Sequence, residues 1–244
     1  LTKLNILSLD FNNVRVVETS TLSGLFALVK LYLGNNRIER LLNDSFTADL
    51  ANLEDLSLYR NRLRRIEANS FSALNNLKQL HLGSNEITLL EEGCFRGLKR
   101  LEYLFLFNNK IELISENVFS STDLKSLLQI KLSYNSIRFV NKFMFDKLRR
   151  LKYLHLDHNN LKAVDFSGLN EITGCLDLSF NEVSSFWSNT SSVTLSRINE
   201  LILTENKLEI LPSNSNSFLP FIKNLDLLSN KVGQIQPFAF KGLE

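Results

Sequence analysis

The stretch "LEYLFLFNNKI" (101–111) carries two patterns at once. Leu101, Leu104 and Leu106 have the spacing of core residues, and Tyr103, Phe105 and Phe107 alternate with the last two. In a strand, alternate side chains face opposite ways, so burying the leucines turns three large aromatics towards water. The same frame recurs as "LVKLYLGNNRI" (28–38), "LEDLSLYRNRL" (53–63), "LKQLHLGSNEI" (77–87) and "LKYLHLDHNNL" (151–161). Ten asparagines mark its full extent: Asn12, Asn36, Asn61, Asn85, Asn109, Asn135, Asn159, Asn181, Asn206 and Asn230. They lie 22 to 26 residues apart. A steady period of this length means a chain built from stacked supersecondary units.

The frame L-x-x-L-x-L-x-x-N-x-L gives each residue type a physical role. Leu31 and Leu33 face inward from a short strand, and so do their equivalents in the other repeats. Asn36 follows where the chain leaves the strand. An amide both donates and accepts, so stacked asparagines satisfy backbone groups that a tight coil would leave unpaired. A phenylalanine falls eighteen residues after the first apolar position in six repeats, at Phe46, Phe71, Phe95, Phe119, Phe145 and Phe240. This spacing predicts an aromatic stack on the convex side of the core. One turn cannot bury its apolar face alone, so stability comes from stacking neighbours. The eighth repeat departs from the frame: Thr173 replaces the first leucine and Ser191 the phenylalanine, with Phe186 and Trp187 earlier. In the ninth, "PSNSNSFLPF" (212–221) replaces the usual run. Irregular convex loops are expected at both.

Composition narrows the function classes. The 244 residues are 44% hydrophobic and 22% charged, with a net charge of +2. Such a near-neutral balance gives no general reason to expect nucleic acid or an anionic membrane as partner. No apolar run approaches the roughly 18–20 residues of a membrane span, so no direct membrane contact is expected. Glycine and proline are sparse, and no flexible linker divides the chain. Residues 1–244 are therefore expected to form a single domain. Leu1 and Leu243 occupy nearly the same phase of the repeat, and neither polar nor cysteine-stapled caps are evident. That points to a portion of a longer solenoid with its end caps missing. Cys94 and Cys175 fall more than three turns apart, roughly 15 Å at strand spacing, beyond the ~7 Å reach of a disulfide. Two free thiols are expected.

Repeats of this length, with Asn at every ladder position and Phe on the convex side, are identified as leucine-rich repeats of the "typical" extracellular kind. The resemblance implies an α/β solenoid, a horseshoe with a parallel concave sheet of about ten short strands and an irregular or 3-10 convex side. Within that group the chain most resembles Toll and Toll-like receptor ectodomains, as in "NSIRFVNKFMFDKLRRLKYLHLDHNNL" (135–161). This resemblance implies a non-catalytic, extracellular module of an innate immune receptor that recognises a protein or other macromolecular ligand, with receptor dimerisation as a further option. The alternative is an adhesion or matrix protein that uses the same repeat. Two N-glycosylation sequons, at Asn43 and Asn189, agree with secretion.

In this fold the third, fifth, seventh and eighth positions of the frame point out of the concave sheet. All five tyrosines of the chain and all three histidines occupy them. Tyr59, His81, Tyr103, Phe105, Phe107, Lys131, Tyr134, Tyr153, His155 and Asp157 are accordingly the candidate binding residues. Aromatics combine large contact area with low entropic cost and dominate many interfaces; they also suit strands in their own right. "HLDH" (155–158) places His155 and Asp157 on one face. A metal would need one or two further ligands there, so no metal or cofactor is expected. No nucleophile elbow or glycine-rich oxyanion turn accompanies the histidines, and no catalytic residues are assigned. The cluster Arg60, Arg62, Arg64 and Arg65 is interrupted by Glu67, Glu86, Glu91 and Glu92 and is expected to be a solvated flank.

Overall fold

The computed structural model describes residues 2–18, 21–42, 45–119, 122–185, 195–213 and 218–241. Asn43, Asn189, Phe186, Trp187 and Ser191 lie outside them. The three-residue strands form one parallel sheet of ten, and their order in the sheet is their order in the chain. They are Ile6–Ser8, Lys30–Tyr32, Asp55–Ser57, Gln79–His81, Tyr103–Phe105, Gln129–Lys131, Tyr153–His155, Cys175–Asp177, Glu200–Ile202 and Asn224–Asp226. The chain is a solenoid that adds one strand per repeat.

Register is constant from end to end. Leu31 pairs with Leu56, Leu56 with Leu80, Leu80 with Leu104, Leu104 with Ile130 and Ile130 with Leu154. Each of these central side chains is fully buried. A slip of one residue would send the whole leucine row to solvent, so the repeat pattern itself fixes the pairing. The far side holds no α-helix among the described residues. Short 3-10 turns occur at Ala48–Leu50, Thr122–Leu124 and Phe166–Leu169.

The asparagine ladder works as a clamp between turns. Asn109 donates through Nδ2 to Leu82 O and Leu106 O, at 3.0 Å each, and its Oδ1 accepts from Ile87 N at 3.1 Å. Asn36, Asn61, Asn85, Asn135, Asn159, Asn181, Asn206 and Asn230 repeat this arrangement. Asn12 donates within its own turn only and is exposed.

The residue before every ladder asparagine has a positive φ of 51–57°. None of the ten is glycine. The left-handed conformation costs an L-residue roughly 1–2 kcal/mol, and it is what turns the chain sharply out of the strand and aims the asparagine inward.

Five of the six expected core phenylalanines are buried. Phe46 stacks on Phe71 at 5.9 Å, Phe95 on Phe119 at 6.0 Å and Phe119 on Phe145 at 5.3 Å. Phe240 is a correction to the sequence expectation. It is 47% exposed, with Ala239 buried in its stead, because no following described turn packs against it. Beyond Phe145 the stack gives way to an edge-on pair, Phe166 and Phe218 at 5.3 Å. Cys94 and Cys175 are both buried free thiols, and burial pushes each up to about 12.

Candidate binding surface

The outward positions of the strands build two aromatic clusters. In the first, Phe105 is the hub. His81 stacks on its ring at 4.6 Å, Tyr103 lies alongside at 6.5 Å, and the Lys131 ammonium stands 5.8 Å from its centre. Phe107 meets Tyr59 at 5.9 Å, and the Arg60 guanidinium lies 5.2 Å from the Tyr59 ring. Tyr103, Phe105 and Phe107 are consequently half-buried, shielded by ring contacts within their own strand and with residues of neighbouring repeats. This resolves the paradox of the 101–111 stretch: the aromatics that turn away from the leucine core roof one another.

The second cluster runs along the exit from the strands. Tyr134 stacks on His158 at 4.0 Å, and His158 on Phe180 at 4.2 Å. All three residues occupy the left-handed position before a ladder asparagine. Tyr134 and Phe180 remain 54% and 45% exposed. The sequence candidates group Tyr134 with Tyr103 and Phe105 and leave out His158 and Phe180, whereas the structure stacks Tyr134 on His158. The frame held the signal, since all three share its eighth position. Tyr153 belongs to neither stack; it is 45% exposed and lies against the bare backbone of Gly174.

His155 and Asp157 do converge, and Asp177 from the next strand joins them. One ligand atom from each of these three lies within 4.8 Å of the others, and all three residues are half-buried. It is the one such group of potential metal ligands among the described residues. Asp177 pairs in register with His155, a neighbour that the repeat frame predicts but "HLDH" alone does not reveal. Gln129 Nε2 is 3.1 Å from His155 Nε2; the Ser133 hydroxyl donates to Asp157 and the Ser179 hydroxyl to Asp177. Burial alone would raise the Asp177 carboxyl, but hydrogen bonds from His155 and Ser179 outweigh it and hold the group below its ordinary value.

His81 shows the opposite balance. Packed under Phe105, it is driven below the ordinary histidine value by burial, against the pull of Asp55 3.6 Å away. The Tyr32 hydroxyl donates to the other Asp55 oxygen at 3.2 Å, and burial with this carboxylate raises the phenol. On the flank, Arg64 pairs with Glu86 and Arg65 with Glu67, the arginines exposed and the glutamates half-buried. Such pairs contribute little to stability.

Among the described residues no helix is long and apolar enough to cross a membrane. Comparison with solved structures finds a TLR13–ssRNA13 complex with a TM-score of 0.75 and 28% identity, covering all of this chain and 39% of that one. An internalin, inlF of Listeria monocytogenes, matches with a TM-score of 0.67 and 21% identity, over all of this chain and 66% of that one. This likeness is one of fold alone. The chain therefore spans well under half the length of the receptor and about two thirds of the internalin. No curated protein matches the sequence. The model of the leucine rich repeat fits residues 2–58, 51–111 and 109–161. By its repeats, its sheet and this match, the chain belongs to the leucine-rich repeat family.

Proposed function

We propose that this chain is a non-catalytic recognition module, part of the extracellular portion of a Toll-like receptor. It engages a protein or other macromolecular partner on the solvent face of its sheet. The observation that carries this reading is the Phe105 cluster. An aromatic hub ringed by His81, Tyr103 and Lys131 is a large, rigid, amphipathic surface that the fold does not require. Similarity to a Toll-like receptor structure supports the receptor assignment, and the sequons at Asn43 and Asn189 agree with an extracellular location.

A random peptide library displayed on phage and selected on the 244-residue chain tests the reading with identifiable probes. Selected peptides are expected to lose affinity for Phe105→Ala and to keep it for Phe143→Ala, an exposed aromatic outside the sheet. Binders indifferent to Phe105 and to Tyr103→Ala would overturn it.

A further inference from the structure

The last four strands of the sheet carry a different chemistry from the first six. Their outward positions hold five carboxylates, Asp157, Asp177, Glu200, Glu205 and Asp226, and no lysine or arginine. Earlier strands mix Asp10 and Asp55 with Lys30, Arg60 and Lys131. Elsewhere in the molecule several acidic groups pair with a cation of a neighbouring repeat, as in Lys78–Glu54, Arg197–Glu171 and Lys207–Glu182. Among the described residues, none of the five carboxylates forms an ion pair with a lysine or arginine. The only ion-pair partners of Asp157 and Asp177 among the described residues are histidines, their other bonds coming from the neutral Ser133 and Ser179, and Glu200 faces the Cys175 thiol.

We propose that this face, from Asp157 to Asp226, docks the cationic side chains of a partner polypeptide, arginine above all. The proposal rests on the recognition reading and names the chemistry of the partner at one end of the surface. Unmatched carboxylates on one face create a negative potential that draws and orients cations. The column Tyr134–His158–Phe180 borders that face, with exposed rings at both ends. A guanidinium suits both features, because it forks onto carboxylates and stacks flat on aromatic rings. A single metal ion at His155, Asp157 and Asp177 would satisfy two of the carboxylates. It would leave Glu200, Glu205 and Asp226 unaddressed, since the four strands span about 14 Å. A polyanion is repelled by the same face.

Fluorescence anisotropy with labelled hexa-arginine, and with hexa-glutamate as control, tests the proposal at an ionic strength of ~0.15 M. Hexa-arginine is expected to bind and hexa-glutamate not. The variant Glu200→Gln/Glu205→Gln/Asp226→Asn should weaken hexa-arginine by about tenfold or more, whereas Glu116→Gln, which alters an exposed carboxylate outside the sheet, should not. Should the triple variant lose its fold, Glu205→Gln/Asp226→Asn alters only exposed residues and should show the same direction of change. No binding of hexa-arginine, or equal binding by the variants, overturns the proposal. So does stoichiometric uptake of Mn²⁺ or Zn²⁺ that is abolished by Asp177→Asn and excludes the peptide. A library-selected binder that needs Phe105 but ignores the three carboxylates removes this inference and leaves the recognition module intact.

Discussion

Phe107 lies so closely over Gly83 that a Cβ on the glycine would stand 2.8 Å from two atoms of the ring. Tyr59, Gly83 and Phe107 hold the same frame position in three successive repeats. Tyr59 and Phe107 are thus two strands apart, about 10 Å along the sheet. Their rings nevertheless meet at 5.9 Å, across a strand whose seventh position carries no side chain. Gly83 has an ordinary backbone conformation, so the reason for glycine here is space.

Gly83→Ala should therefore dismantle the Tyr59–Phe107 contact without unfolding the chain. The clashing atoms belong to the free end of a side chain that can swing aside, so the cost should fall near the low end of overpacking, about 1 kcal/mol. Differential scanning calorimetry should find a small loss in Tm. Peptides selected on the native chain should bind the variant more weakly if they contact this pair.

Leu104 and Phe105 are adjacent in sequence and opposite in consequence. Leu104 is fully buried, and Leu104→Ala should destabilise by about 2–5 kcal/mol through the cavity it leaves. Phe105→Ala removes a ring that packs only on other outward side chains. It should cost the fold little and weaken a partner that uses this hub by roughly 1–3 kcal/mol. Denaturant titration and binding on both variants separate the two roles. A Phe105→Ala chain that unfolds while keeping its affinity would make the aromatics structural.

The leucine frame was legible because its positions recur along the whole chain and the inner repeats impose the same burial, while Leu7 and Leu225 in the end repeats are only partly buried. The ladder asparagines could be read for the same reason. The left-handed residue before each asparagine could not. Phe11, Arg60, Tyr134 and Glu205 share no chemistry, and the conformation is imposed by the asparagine bonds that follow. The binding face was legible only as a set of outward positions. Which of them touch depends on ring direction and on gaps such as Gly83. Ring directions separate Tyr134 from the Phe105 group and join it to His158 and Phe180, and only strand pairing brings Asp177 beside His155.

Asn109→Ala should rank among the most damaging single changes outside the leucine core. It strips hydrogen bonds from Ile87 N, Leu82 O and Leu106 O at once. Ile87 N is left unpaired, at about 1–3 kcal/mol, while Leu82 O and Leu106 O each lose one of two amide donors and keep those of Asn85 and Asn135, so the expected total is near ~2–4 kcal/mol. Asn12→Ala removes only donations within its own exposed turn and should stay within about 1 kcal/mol. Comparable losses at the two positions, measured by urea unfolding, would contradict the ladder as a clamp between turns.

Stability should fall as pH drops below the ordinary range of histidine titration, and His81 should be a principal cause. Burial under Phe105 holds its folded value below the unfolded one. The unfolded chain therefore binds more protons in the interval between the two values, and stability rises with pH across it. The full benefit is present above about pH 6.5 and is lost progressively below it, down to the folded value. Asp177 has the same sign but acts lower, because its depressed carboxyl loses stability only as pH falls through the acid range. His81→Gln should flatten the dependence of Tm between about pH 5 and 7. Phe105→Ala gives an independent check. With the ring gone, His81 regains water and its titration, followed by NMR, should move up towards the ordinary value. A shift in the other direction would mean that the ring does not supply the burial.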